Sequence, residues 1–174
     1  MALPVTLLVL TALLILLLAP ITGDDDPPAS GPAATVTMPA IFWHQVPDEL
    51  AEARVLRVID GDTIDVVLSG DVERVRYYGV DAPERNKRCY DEATRRNRDL
   101  VGEEVFLRPD ARDRDEGGRL LRYVFSRGGL MVDASLVAGG FGVAWREDGA
   151  YRDALVDLEV ETRRLDVGCL WGKD

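Results

Sequence analysis

Apolar and polar positions change period several times along the chain, and the changes mark out its elements. The runs Arg54–Ile59 and Thr63–Leu68 are rich in β-branched residues and flank the turn Asp60-Gly61-Asp62, a pattern that predicts a hairpin. Val72–Gly79 follows the turn Ser69-Gly70-Asp71, and Glu104–Arg108 and Leu120–Phe125 supply two more strands. Five short strands, mostly joined as hairpins, suit a small closed or partly closed barrel. Helical segments interleave with them. Tyr90–Val101 reads as a helix with a thin apolar face, and Met131–Ala138 as one stopped by Gly139-Gly140. In Tyr151–Leu165, Tyr151, Leu155, Leu158, Thr162 and Leu165 recur at steps of three or four, with charges on the other side. The pattern predicts an α+β domain over 54–174, about 120 residues, large enough for its own core.

The chain before Arg54 is patterned differently. Ala2 to Gly23 carries no charge and is dominated by Leu from Leu7 to Leu18, and roughly 20 apolar residues suffice to span a bilayer. Residues 1–23 therefore read as an N-terminal hydrophobic helix, either a signal peptide or an uncleaved transmembrane anchor. A missing basic n-region and Pro20 directly after Ala19 favour the anchor. The run Asp24-Asp25-Asp26 fits an outward-facing C-terminal side. Residues 24–53 read as a linker rich in Pro, Gly, Ala and Asp, interrupted by the apolar island Ile41-Phe42-Trp43-His44. The expected location is extracytoplasmic, membrane-anchored or secreted. The membrane is a partner if the segment stays uncleaved, and no obligate protein partner is expected.

Charge narrows the function. With 31 acidic residues against 21 basic ones and a net charge of -10, a generally basic nucleic-acid-coating protein is excluded. No Lys or Arg precedes Arg54. From Arg85 to Arg98, however, Arg85, Lys87, Arg88, Arg95, Arg96 and Arg98 face only Asp91 and Glu92, a local patch that can attract an anionic polymer. His44 is the single histidine and lies outside the patterned part, which argues against Ser-His-Asp or Cys-His chemistry. Two distant cysteines argue against a Cys/His zinc site. Cys89 and Cys169 read either as a disulfide, which an extracytoplasmic setting permits, or as two free thiols.

Three clusters carry candidate chemistry. Asp60-Gly61-Asp62-Thr63 lies between two strands, where a plain hairpin turn is the alternative reading. Arg76 to Glu84 runs from a strand end into an acidic loop fixed by Pro83, and Asp115 to Leu121 is a turn feeding a strand. Their residue types agree for phosphodiester hydrolysis, which needs a hard cation, an activated water and positive groups on the phosphoryl oxygens. Asp62 and Asp81 offer oxygen ligands suited to Ca²⁺ or Mg²⁺. Glu84, three residues beyond Asp81, is a candidate general base. Arg76 and Arg119 can each fork two N–H donors onto a phosphate.

In order and spacing, Val58-Ile59-Asp60-Gly61-Asp62-Thr63, then Arg76…Gly79-Val80-Asp81-Ala82-Pro83-Glu84, then Asp115…Gly118-Arg119-Leu120 resemble the staphylococcal nuclease (thermonuclease) family. The resemblance runs over residues 54–171, closing Leu170-Trp171 included. It implies an OB-fold five-stranded β-barrel with three α-helices. It also implies Ca²⁺-dependent endonuclease cleavage of DNA and RNA that leaves a 3′-phosphate. By position, Asp62, Asp81 and the carbonyl of Ala82 match the family's metal ligands, Glu84 its general base, and Arg76 and Arg119 its catalytic arginines. Arg85 and Lys87 beside the acidic loop, and Trp145 near another family aromatic, are the candidate substrate-binding residues. The chain departs from the family at Gly117, where a tyrosine that helps hold the nucleotide would stand. The alternative expectation is a non-catalytic OB-fold module that binds nucleic acid or a protein at the cell surface. Such modules normally lose the carboxylates or arginines, and all five are present here.

Overall fold

A computed structural model describes residues 35–42 and 50–173. The hydrophobic segment 1–23, the adjoining linker as far as residue 34, and Trp43 and His44 lie outside the described residues. The strands in chain order are β1 (Ala51–Val58), β2 (Thr63–Leu68), β3 (Asp71–Tyr77), β4 (Val80–Asp81), β5 (Glu104–Arg108), β6 (Leu120–Ser126) and β7 (Val143–Ala144). The helices are α1 (Tyr90–Val101), α2 (Val132–Ala138), α3 (Arg152–Arg164) and the short α4 (Gly168–Trp171).

Five strands close into a barrel in the order β1-β2-β3-β6-β5, and β5 pairs back to β1. All neighbours run antiparallel except β3 and β6, which are parallel with Val75 opposite Leu120. Closure removes the free sheet edges that would otherwise invite pairing with another chain. This is the α+β, OB-type barrel that the residue pattern and the family resemblance predict. On β2 and β3 the inward positions Ile64, Val66, Val75 and Tyr77 are buried. They share one core with Val105, Leu107 and Val124 from β5 and β6. Helix α2 packs against β6 and α3, and its residues from Val132 to Val137 are all buried.

The linker assigned to 24–53 is shorter than its composition suggests. β1 already begins at Ala51, and Phe42 and Val36 are buried in the core. The Phe42 carbonyl accepts the Met131 amide at 2.9 Å. Phe42 of the apolar island thus packs on the domain, where one buried aromatic outweighs several indifferent neighbours. Among the described residues no helix is long and apolar enough to cross a membrane.

Two ties hold the functional end of the barrel. Asp133 in the first turn of α2 is fully buried, and its Oδ1 accepts the Gly79 amide at 2.9 Å while its Oδ2 accepts the Val124 amide at 3.0 Å. Burial pushes this carboxyl up to about 6, although its backbone donors oppose the rise. The second tie is a disulfide between Cys89, just before α1, and Cys169 in α4, with Cα atoms 5.8 Å apart.

Each tie makes a prediction. Asp133→Ala orphans two buried N–H groups and should lower urea-unfolding stability by about 3 kcal/mol. Because the folded pKa of Asp133 lies above that of the unfolded chain, its contribution is greatest below about pH 4 and is lost as pH rises through about 6. The Asp133→Ala deficit measured against pH should therefore narrow across that window. The double variant Cys89→Ser/Cys169→Ser reopens a long loop and should lose about 2–4 kcal/mol by the same measurement.

Candidate active site

The turn Asp60–Thr63 between β1 and β2 is held from three sides. Its Ile59 amide donates to the Thr63 carbonyl at 2.9 Å, and the Tyr77 amide donates to the Asp62 carbonyl at 2.9 Å. From α1, the buried Asn97 donates its side-chain amide to the Asp60 carbonyl at 2.8 Å and accepts the Tyr77 hydroxyl at 2.7 Å. Gly61 allows this close packing: a Cβ there would lie 2.5 Å from the Ala82 Cβ and 2.9 Å from the Ala93 Cβ. The glycine between the two aspartates thus lets the turn, the β4 loop and α1 touch.

Asp81 is placed by the two-residue pairing of β4 with β7, Val80 opposite Ala144 and Asp81 opposite Val143. The side chains of Asp62 and Asp81 converge on one atom. Arg76 Nη2 lies 3.2 Å from Asp62 Oδ2 and 2.7 Å from Asp81 Oδ1. The other terminal nitrogen, Nη1, donates to the carbonyls of Tyr77 at 2.7 Å and Val80 at 2.6 Å. Asp62 Oδ2 also accepts the Ala82 amide at 2.6 Å. Burial raises the Asp62 carboxyl to about 7, against the opposing pull of the Arg76 guanidinium and the Ala82 hydrogen bond.

Arg119 comes from a tight turn before β6. The Asp115 amide donates to the Arg119 carbonyl and the Gly118 amide to the Asp115 carbonyl, each at 3.0 Å. The Asp115 carboxylate accepts both the Arg119 amide at 2.9 Å and its Nε at 2.6 Å. Arg119 keeps its terminal nitrogens for other partners and remains 40% exposed at the side chain. Burial pushes the Asp115 carboxyl up, but hydrogen bonds from Arg119 hold it below the ordinary value.

Arg76 and Arg119 line one pocket of about 120 Å³, together with Tyr78, Arg112, Asp115, Leu121 and Trp145. Its far wall is a polar network. Asp148 accepts two hydrogen bonds from Arg112, at 2.6 and 2.8 Å, one from Trp145 Nε1 at 2.9 Å and one from the Tyr78 hydroxyl at 3.1 Å. The Arg112 guanidinium carbon lies 5.2 Å from the Tyr78 ring centroid and 5.8 Å from that of Trp145.

The structure therefore brings Asp62, Asp81 and Arg76 into direct contact and sets Arg119 and Trp145 on the same pocket as Arg76. Glu84 is exposed on the loop beyond Asp81, and its side chain has no hydrogen-bond or ion-pair partner among the described residues. Arg85 stacks over Tyr90 at 5.7 Å from the ring centroid, and Lys87 is exposed. Several contributors were not visible in the sequence: Asn97, Asp133, Arg112 and Asp148. For Asn97 a signal existed, since it shares a stripe with Ala93 and Val101 at four-residue spacing, and that stripe is the buried face of α1.

The donor set fits a hard cation. Two carboxylates facing one point offer oxygen ligands of the kind Ca²⁺ and Mg²⁺ take, and the group between them in this structure is itself cationic. Among the described residues no group of three or more His, Cys, Asp and Glu side chains gathers as a metal cluster, so backbone and water would complete the shell.

A small OB-type barrel with two acids and two arginines gathered at the β1–β2 turn, the β4 loop and the turn before β6 defines a nuclease-like class of domain. The chain belongs to the staphylococcal nuclease homologue family, whose pattern matches residues 74–173. It is 38% identical over 136 residues to the SPbeta prophage-derived endonuclease YokF of Bacillus subtilis (strain 168), covering 72% of this chain and 46% of that relative. Endonuclease YncB of the same organism is 38% identical over 127 residues, with 67% and 60% covered. The thermonuclease of Staphylococcus hyicus is 31% identical over 123 residues, with 64% and 71% covered. The chain thus spans about half the length of YokF and three fifths of YncB.

A divalent ion held between Asp62 and Asp81 would bind in a pH-dependent way. The ion needs the Asp62 carboxylate deprotonated, and burial has raised that group to about 7. Ca²⁺ affinity measured by calorimetry should weaken toward tenfold per pH unit as pH falls below about 7, and level off above about 8.

Proposed function

We propose that the protein is a metal-dependent endonuclease that hydrolyses phosphodiester bonds of DNA and RNA on the outer side of a membrane. The observation that carries the reading is the convergence of Asp62, Asp81 and Arg76 beside a pocket that Arg119 also lines. The endonuclease and thermonuclease names of the relatives support it. The uncharged N-terminal stretch supports the location, since it reads as a signal or an anchor.

Asp62, Asp81 and the Ala82 carbonyl would hold the ion, calcium in preference to magnesium. When bound, it supplies Lewis-acid neutralisation at a phosphoryl oxygen. The chain's own residues do the rest. Arg119 and Arg76 donate N–H groups to the nonbridging oxygens, where charge accumulates as phosphorus becomes five-coordinate. Glu84, on its exposed loop, takes the proton from the attacking water. The water oxygen bonds to phosphorus as the P–O5′ bond breaks, and the departing 5′ oxygen takes a proton from solvent, leaving a 3′-phosphate and a 5′-hydroxyl. The Tyr78–Arg112–Trp145 wall offers a flat surface against which a base can stack.

The test is digestion of single- and double-stranded DNA and of RNA by the full chain with Ca²⁺ and with chelator. Chelator should abolish cleavage. Glu84→Gln and Arg119→Ala should each lower kcat by about 10²–10⁴ while melting like wild type. Binding without cleavage by the wild-type chain would instead support the non-catalytic module.

A further inference from the structure

A second groove adjoins the pocket, and Arg119 lines both. It measures about 540 Å³ and is lined by Arg57, Asp65, Val72, Arg74, Gly117, Gly118 and Arg119. Its floor follows from strand pairing. Asp65 on β2 stands opposite Arg57 on β1 and Arg74 on β3. On β3, alternation turns Val75 and Tyr77 inward and Val72, Arg74 and Arg76 to the outer face. One strand therefore carries the site arginine and the groove arginine two residues apart, about 6.8 Å along the sheet. That step is comparable to the phosphate repeat of an extended single strand.

The two groove arginines are built into place. Asp65 is buried and accepts Arg57 Nε at 2.7 Å, Arg74 Nε at 2.7 Å and Arg74 Nη2 at 3.1 Å. One carboxylate thus braces two guanidinium groups. The arginine side chains stay 66% and 47% exposed, against 12% for Arg76, so they can still meet a ligand. Three arginines line the groove against the single carboxylate of Asp65, on a chain of net charge -10. The lip is low at Gly118, where a Cβ would meet nothing within 4 Å. Val72, 68% exposed, adds an apolar patch at the far end.

We propose that this groove binds the phosphodiester backbone of the nucleic-acid strand flanking the scissile bond, with Arg57 and Arg74 as phosphate contacts beyond the catalytic pocket. The proposal rests on the nuclease reading above. It also gives the open surface at Gly117 a use, since a strand can pass from the pocket over Gly117 and Gly118 without a side chain in its way.

The test compares the full chain with its Arg57→Gln, Arg74→Gln and Arg74→Lys variants on two substrates with Ca²⁺. A DNA dinucleotide spans the scissile phosphate alone, and a single-stranded DNA dodecamer also reaches the groove. Each single variant leaves Asp65 one arginine, and thermal melting checks the fold. Each Gln variant should raise KM on the dodecamer roughly three- to tenfold and leave dinucleotide kinetics unchanged. The slope of log KM against log salt should become shallower by about 0.7, and Arg74→Lys should keep most of the wild-type behaviour. Equal losses on both substrates, or no loss on the dodecamer, overturn the proposal. If the wild-type chain cleaves neither substrate, the nuclease reading fails by itself. Fluorescence anisotropy of the labelled dodecamer then decides the groove: weaker binding by the Gln variants upholds it, and unchanged binding overturns it.

Discussion

The guanidinium of Arg76 donates to the carbonyls of Tyr77 and Val80 and faces the carboxylates of Asp62 and Asp81, so four contacts from separate stretches meet on one planar group. The carbonyls belong to the chain as it leaves β3 and enters β4, Asp62 to the β1–β2 turn, and Asp81 to β4 itself. A planar fork with five donors can serve all of these together, which a lysine cannot. Asp62 also needs a cation beside it, because its buried carboxyl is already raised to about 7 with Arg76 in contact. Removing the guanidinium would leave that carboxyl buried without compensation, the costly half of a broken buried pair. The β4 loop, the acids Asp62 and Asp81 and the barrel end are thus arranged around one side chain.

Part of this was legible from residues 54 onward. Alternation located the barrel strands to within a few residues, because each has one buried face. The helix at Tyr90–Val101 was found at its observed limits. The Asp-Gly-Asp-Thr turn and the Arg76–Glu84 segment announced themselves through residue types that plain turns do not need together. What stayed hidden was long-range. Strands β4 and β7 are two residues each and carry no period, and the Gly79 carbonyl extends their pairing by accepting the Trp145 amide at 3.0 Å. Nothing local to Asp133 shows that Gly79 and Val124 present their amides to it. Nothing within the run Thr63–Leu68 shows that Arg57 and Arg74 stand on either side of Asp65.

The acidic composition also looks different in three dimensions. Much of the negative charge near the barrel is paired: Asp65 with two arginines, Asp115 with Arg119, Asp148 with Arg112 and Glu73 with Arg114. In each case the carboxylate fixes a guanidinium that still has N–H groups free of that partner or a flat face to offer. An acid placed under an arginine reduces its net charge but restricts its rotamers, and a preorganised donor loses less entropy when it meets a phosphate. Around this site, then, carboxylates act as braces for arginines as well as candidate ligands.

Two ranges of electrostatics follow. At long range the chain, with net charge -10, repels an anionic polymer, and that repulsion is screened beyond a Debye length of about 8 Å at physiological salt. At contact range the arginines displace counterions, and the resulting attraction weakens as salt rises. The two terms respond to salt in opposite directions, so neither the net charge nor a count of basic residues describes how a strand would be captured. What decides it is the local geometry: arginines on the outer face of β3 and at the turn before β6, braced by the carboxylates of Asp65 and Asp115.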